Sequence, residues 1–254
     1  MTQSERLLFT AIIPVYNGEK YLAAAIQSVL DLGDEVTELI VVDDGSTDAT
    51  AEVTAGFAGR VRYVFQSHRG APAARNCGLR LACGEIIGFL DADDLWTPNI
   101  ATRAFTLLIG RPDVDIVQGR IQEIRTRPSD APGIPCEYLS RPYSYINLGS
   151  AVYRRRVFER VGIFDETMPL CDDYDWFLRA FDARIPKMRI DDVTILWRIH
   201  SSSMTHGKGP HGIGMAKAHK KAIQRRRCDP MMKSKPPSDF PTIVEYIGTK
   251  PKVT

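Results

Sequence analysis

The chain has 254 residues, 44% of them hydrophobic and 25% charged, which suits one large α/β domain or two small ones and excludes a disordered protein. No apolar run reaches bilayer length, and the polar start Met1-Thr2-Gln3-Ser4-Glu5-Arg6 lacks the regions of a signal peptide, so neither a membrane span nor secretion is expected. A net charge of +2 conceals an asymmetry: residues 208–254 carry eleven Lys and Arg against three acids, and the first 207 carry twenty-two against twenty-eight.

In chain order, Leu7–Val15 reads as a first strand, closed by Pro14 and the turn-like Asn17-Gly18. Leu22, Ile26, Val29 and Leu30 recur at helical spacing. Leu39-Ile40-Val41-Val42 is a second apolar strand that stops at Asp43-Asp44-Gly45-Ser46. A helix over Thr47–Gly56 and a strand over Val61–Gln66 follow. Pro72 and Gly84 then bracket a helix over Ala73–Cys83. Ile86–Leu90 is a short interior strand, so residues 7–95 alternate strand and helix as a parallel, doubly wound sheet does. Beyond Pro98 the pattern predicts a helix over Asn99–Ile109, a strand near Ile116–Ile124 and a long loop over 126–146. Helices over Arg154–Val161 and Tyr174–Ala183 and a last strand over Val193–Ile199 complete the body. Gly212–Arg227 has the spacing of a basic helix, and Pro230–Thr254 has no clear period. Cys77, Cys83, Cys136, Cys171 and Cys228 are widely spaced with no Cys-x-x-Cys pair, which points to reduced thiols in a cytoplasmic protein.

The strand Ile86–Leu90 ends in Asp91-Ala92-Asp93-Asp94. Three carboxylates cannot be buried together cheaply, so they belong in water or around a cation at the strand's carboxyl end, where open α/β sheets bind ligands. Hard divalent ions take one or two carboxylates plus phosphate oxygens, and a metal–diphosphate site at Asp91 and Asp93 fits that chemistry. An acidic turn that keeps the strand end solvated fits the same four residues.

Seven stretches, taken together, resemble the family-2 inverting glycosyltransferases. They are Ile12-Ile13-Pro14-Val15-Tyr16-Asn17, Val41-Val42-Asp43-Asp44-Gly45-Ser46-Thr47-Asp48, Ala74-Arg75-Asn76-Cys77-Gly78-Leu79 and Gly84 to Asp94. Further along come Val161-Gly162-Ile163-Phe164-Asp165-Glu166, Asp172-Asp173-Tyr174-Asp175-Trp176 and Trp197-Arg198-Ile199-His200. They cover residues 7–205 in the family's order.

The resemblance implies a GT-A fold, an α/β architecture with a mostly parallel doubly wound sheet and a small acceptor-side subregion. Residues 1–207 would form the transferase domain, with a nucleotide-binding half over 7–95 and an acceptor and catalytic half over 96–207. Residues 208–254 would be a basic tail. It further implies a nucleotide-sugar donor, a UDP-sugar by default, with Mn²⁺ or Mg²⁺. Pro14, Tyr16, Asn17, Asp43, Asp44, Arg75 and Asp91 would line the nucleotide, and Asp93 with His200 would hold the metal. Asp173 would be the base that takes the proton from an acceptor hydroxyl in an inverting single displacement. Arg75 could reach the nucleotide or brace the acidic turn, and Trp96 could wall the site or anchor the core. Asp172 stands where the family more often has Glu, which shortens the reach of that neighbour by one methylene.

The acceptor is not legible; a glycan or lipid-linked acceptor of cell-envelope or polysaccharide synthesis is the family's usual class. Arg141, Tyr143 and Tyr145 are candidates to contact it or are loop surface. Arg154-Arg155-Arg156 and the basic tail raise an anionic acceptor or an anionic membrane surface, with the protein peripheral at the inner face. Nucleic acid is not expected, because no aromatic residues interleave the basic run. Ser201–His211 has the composition of a flap over the donor. A non-catalytic nucleotide-sugar-binding or scaffold protein of the same fold is the alternative, against which the joint presence of Asp93 and Asp173 argues. No Gly-rich phosphate loop follows the first strand, which argues against a nucleotidyltransferase or a dinucleotide enzyme.

Overall fold

Strand β1 (Phe9–Val15) is buried along its whole length. Its residues divide between two cores: Phe9, Ala11, Ile13 and Val15 face one, and Ile12 faces the other. β2 (Glu38–Asp43) divides in the same way, with Leu39 and Val41 opposite Ile40 and Val42. That double burial is why these strands read as unbroken apolar runs. A computed structural model of the chain describes residues 7–126, 137–201, 203, 214–228 and 240–249.

The single sheet has the order β3-β2-β1-β4-β8-β6-β9-β5, with β7 (Glu137–Tyr138) paired to β6. β3 (Arg62–Phe65), β2, β1 and β4 (Ile86–Phe89) run parallel. β8 (Ala151–Arg154) lies antiparallel between β4 and β6 (Ile116–Arg125), and β9 (Lys187–Arg198) returns parallel to β6. The short β5 (Leu95–Trp96) closes the far edge antiparallel to β9. Because β1 has β2 on one side and β4 on the other, the chain leaves it in opposite directions, and the carboxyl ends of these three strands form the switch point at which open α/β sheets bind ligands.

Helices α1 (Leu22–Leu30) and α2 (Thr50–Ala55) follow β1 and β2, and α3 (Ala71–Leu81) precedes β4. α3 lies so close to the sheet that a Cβ on Gly78 would meet Ile12 Cγ2 at 2.4 Å, so only glycine fits there. The helix expected over 99–109 begins with a wider, π-type stretch, Ile100–Phe105, before α4 (Thr106–Gly110). α5 (Arg156–Val161) and α6 (Asp172–Asp182) cover the same face as α3.

Several of the basic residues bond within the fold. The guanidinium groups of Arg154-Arg155-Arg156 all have partners there, Arg156 while staying half exposed. Arg154 donates to the carbonyls of Val114, Leu108 and Arg111, and Arg155 to those of Gly84, Ala82 and Leu79 at the end of α3. Arg156 and Arg160 both donate to the buried Asp115 carboxylate. The described parts of the tail are also packed onto the body. In α7 (Met215–Cys228), Ala218 and Ala222 are one turn apart and buried. α8 (Ile243–Ile247) opens with a capping box, the Thr242 hydroxyl accepting from the Glu245 N–H while the Glu245 carboxylate accepts from the Thr242 N–H. Tyr246 is fully buried against Phe181 and Phe240 and donates its hydroxyl to the Ile185 carbonyl at 3.1 Å.

If residues 240–249 were an appendage, losing Tyr246 would cost nothing. Tyr246→Ala is expected to destabilise the full chain by about 3–5 kcal/mol, the usual range for deleting a buried aromatic ring. Urea unfolding checks this, and a midpoint equal to wild type would show the segment to be undocked.

Candidate active site

Each strand reaching the switch point delivers its own chemistry. At the exit of β1, Pro14 is buried and paired with Val42, beyond the point where β4 ends its pairing with β1 at Ile12. A residue without an N–H is tolerated there because no neighbour on that side needs one. Tyr16 is 49% exposed, and its ring lies 4.2 Å from that of His68. Asn17 has φ of 52°, a conformation Asn tolerates better than most residues. Its N–H donates to Ser46 Oγ at 2.8 Å, and its Oδ1 accepts from the Thr47 N–H at 2.8 Å, so the exits of β1 and β2 are stitched together.

At the exit of β2, both acids are buried. Asp43 accepts from the Ser46 N–H at 2.8 Å and the Tyr63 hydroxyl at 2.7 Å, and keeps spare acceptor capacity. Asp44, 2% exposed, is saturated by the loop ahead of α3. It accepts from Gln66 Nε2, from the backbone N–H groups of Arg69 and Gly70, and from His68 Nδ1 at 2.9 Å. Asp44 therefore shapes the loop, and its carboxylate is not presented to solvent.

At the exit of β4 the three acids separate in role. Asp94 is buried and accepts from the Arg198 N–H at 2.9 Å; burial and the neighbouring Asp93 and Asp91 push its pKa well up. That bond fastens the end of β9 to the end of β4 and brings His200 to Asp93, with Nε2 2.9 Å from Oδ2. The His200 ring rests 4.5 Å from Tyr21, over which the Arg198 guanidinium lies at 4.9 Å. Among the described residues, no group of three or more His, Cys, Asp or Glu side chains is arranged to enclose an ion. A carboxylate oxygen and an imidazole nitrogen in contact, both partly open to solvent, fit an ion that completes its shell from phosphate oxygens and water.

Asp91 faces the other way, toward α3. Arg75 Nη2 donates to Asp91 Oδ1 at 2.7 Å while Nη1 donates to Asp172 Oδ2 at 2.6 Å. Burial opposes the charge on Arg75, yet Asp172 and Asp91 outweigh it and hold the pKa above its usual value. Arg75 is thus the brace between the acidic turn and α6, and the shorter Asp172 reaches it fully. The adjacent Asn76 exchanges hydrogen bonds with the Phe164 backbone and donates to Glu166, which also pairs with Arg69 at 2.5 Å.

Among the described residues, Asp173 pairs with no cation. Its Oδ1 accepts from the Tyr174 N–H at 2.7 Å. Burial, and then the charge of Asp172, raise its pKa to about 7. The helix it opens starts from Cys171 at φ of 72°, with no side-chain cap. Tyr145 lies close enough for the Asp173 charge to add to burial in raising its phenol to about 12. Tyr143 is buried with its hydroxyl on Glu123 at 2.7 Å, and Arg141 is exposed. Trp96 is a core anchor, its Nε1 donating to the Gly149 carbonyl at 2.7 Å. Four cysteines are free thiols; Cys136 and most of the segment 201–211 fall outside the described residues. Sequence reasoning passed over His68, Tyr63, Gln66, Tyr21 and Asn76, whose roles come from contacts between elements distant in the chain.

Replacing Arg75 by Met leaves the buried Asp172 unpaired, and a loss of about 3–5 kcal/mol in urea unfolding is expected. Arg75→Lys should recover only part of it, since one ammonium cannot fork to two carboxylates. A loss below about 1 kcal/mol for Arg75→Met, the scale of an exposed pair, would refute the brace.

The Glycosyl transferase family 2 model matches residues 10–162. An uncharacterised glycosyltransferase of Rickettsia prowazekii is 28% identical over 214 residues, covering 78% of this chain and 66% of its own length. EpsJ of Bacillus subtilis, also an uncharacterised glycosyltransferase, is 28% identical over 220 residues, covering 78% and 63%. The chain spans about one third to two thirds of the length of its first relatives. Among solved structures, S. aureus TarS 1–349 with UDP-GlcNAc superposes with a TM-score of 0.69 at 18% identity, covering 88% of this chain and 68% of that one. The mannosyltransferase PcManGT of Pyrobaculum calidifontis, with GDP-Man and Mn²⁺, gives 0.64 at 22%, covering 96% and 69%. The fold is GT-A, and the chain belongs to glycosyl transferase family 2.

Proposed function

We propose that this chain is an inverting glycosyltransferase that moves a sugar from a nucleoside-diphosphate donor to an acceptor hydroxyl by a single displacement. The observation that carries the reading is the Arg75 bridge. One guanidinium ties the acidic turn on the donor side to the helix that carries an unpaired carboxylate, Asp173.

The donor base would lie at the exits of β1 and β2. Tyr16 offers an exposed ring to stack on it, and Asp43 offers spare acceptor capacity for a ring N–H such as that of uracil. Asn17 and Asp44 act there by fixing the loops, and Pro14 by ending the strand. Uridine and guanosine donors both fit that demand; TarS is seen with UDP-GlcNAc and PcManGT with GDP-Man. Asp93 and His200 would hold a divalent ion, and the mixed oxygen and nitrogen pair suits Mn²⁺ better than the all-oxygen shell of Mg²⁺. When bound, the ion supplies positive charge to the departing diphosphate. Asp91 is partly exposed beside Asp93 and offers its free oxygen to the ribose.

Inversion requires attack on the face opposite the leaving group, with a base taking the acceptor's proton. Asp173 suits that task because, among the described residues, it is the acid of its turn that no cation pairs with. A carboxylate with a pKa near working pH removes a proton effectively while remaining ionised often enough to act.

Two outcomes are expected. Asp173→Asn should remove at least about 99% of donor hydrolysis while UDP affinity with Mn²⁺ stays within about twofold, and Asp93→Ala should weaken the Mn²⁺-dependent part of that affinity by tenfold or more. Calorimetry and diphosphate release measure these; full hydrolysis by Asp173→Asn would remove the assignment of the base. The second concerns pH. The folded Asp173 pKa is raised, so below about 7 the carboxylate is protonated and cannot accept. In wild type, kcat/KM should fall about tenfold per pH unit below about 7 and level off above it. A flat profile between pH 5 and 7, the span such a base must cross, would contradict the role.

A further inference from the structure

The family match ends at Val161-Gly162, well before α7, yet α7 lies along the helix that carries the base. The first turn of α6 holds Asp172, Asp173 and Asp175; the helix N-terminus favours negative charge, but three carboxylates this close also raise one another's proton affinity. Asp172 is answered by Arg75. Asp175 is buried between two guanidinium groups, Arg179 of its own helix at 2.9 Å and Arg225 of α7 at 3.0 Å. At the other end of α6, Asp182 pairs with Arg226 of α7 at 2.7 Å.

The segment leading into α6 is held in the same way. Lys221 pairs with Asp165 and donates to Thr167 Oγ1 at 3.1 Å, and Lys217 donates to the Thr167 carbonyl at 2.7 Å. His219 Nε2 and the Tyr174 hydroxyl share a hydrogen bond of 2.8 Å. Tyr174 is the residue whose backbone N–H orients the Asp173 carboxylate. Most of the positive charge of α7 is therefore directed inward.

We propose that α7 is a clamp on the base-bearing helix, and that His219 and Arg225 are positioning residues for Asp173; this rests on the reading of Asp173 as the base. Arg225 completes the neutralisation of Asp175, so that Asp173 alone in its turn remains open to a proton from the acceptor. His219 fixes the Tyr174 ring, and with it the peptide group that aims the carboxylate. Among the described residues, the partners of these α7 side chains all lie outside the donor half, 7–95, so the clamp acts on the displacement step and not on nucleotide binding.

The test uses the full chain and the variants His219→Phe, His219→Gln and Arg225→Met. Hydrolysis of UDP-N-acetylglucosamine and of GDP-mannose is followed with Mn²⁺, UDP and GDP affinities are measured by calorimetry, and amide exchange is read over residues 171–176. His219→Phe and Arg225→Met should each lower kcat about tenfold or more, with donor KM and nucleotide affinity within about twofold, and should speed exchange at the start of α6 about tenfold. His219→Gln, which keeps a hydrogen-bonding partner for Tyr174, should retain most of kcat; a merely space-filling role would not separate Gln from Phe in that direction. Unchanged exchange over 171–176 in both damaging variants, or equal losses for Gln and Phe, overturns the clamp. A wild type that binds neither UDP nor GDP with Mn²⁺ while exchange responds as expected overturns the transferase reading and leaves the clamp standing.

Discussion

A buried guanidinium that must satisfy two carboxylates from different halves of the chain constrains everything else at the site. Arg75 is 5% exposed, so its charge has no recourse to water and is held in place by Asp91 and Asp172 together. The acidic turn after β4 and the start of α6 can then occupy only one relative position. Asn76 repeats the device one residue along, binding the Phe164 backbone and Glu166. The stretch Ala74-Arg75-Asn76 is thus a double staple from α3 to the segment 164–172, and two motifs that look independent in sequence prove to be the two ends of the same contacts.

Much of the donor half was legible because its physics is local. Apolar runs long enough for one strand, each stopping at Asn17, Asp43 or Asp91, state where the strands end and where polar chemistry begins. The acceptor half was less legible for identifiable reasons. β8 has four residues, of which Arg154 looks helical beside Arg155 and Arg156, and its strand character comes from pairing with β4 and β6. β9 begins at Lys187, six residues before the expected Val193, because the register slips near Arg120 break the alternation along Arg189, Asp191 and Asp192. α8 is a single short helix whose docking depends on Tyr246 finding Phe181, a contact that no local pattern announces.

Charge was the sequence signal that said least about its own partners. An acidic body and a basic C-terminal segment suggest an external anionic partner, because a count of charges carries no distances. In the folded chain, Lys221, Arg225 and Arg226 meet Asp165, Asp175 and Asp182, while Arg154 and Arg155 close the carbonyl ends of neighbouring helices. For these three residues of α7, the basic segment meets acids of the same molecule. No helix among the described residues is long and apolar enough to cross a membrane.

Among the described residues, burial raises both Asp94 and Asp173, and only Asp173 is placed to do proton chemistry. Asp94 lies inside the fold, and its Oδ1 accepts the Arg198 backbone N–H; its task is to fasten β9 to the end of β4 so that His200 reaches Asp93. Asp173 is less buried and accepts only the N–H of its own neighbour. A raised pKa alone therefore does not mark a base. What separates the two acids is that every other charge in the first turn of α6 has been given a cation, from Arg75 on one side and Arg179 and Arg225 on the other, while Asp173 has not. Neutralising the neighbours keeps the turn intact; leaving Asp173 unpaired keeps its affinity for a proton high enough to take one from a hydroxyl. A cation placed there would lower the basicity on which the displacement depends.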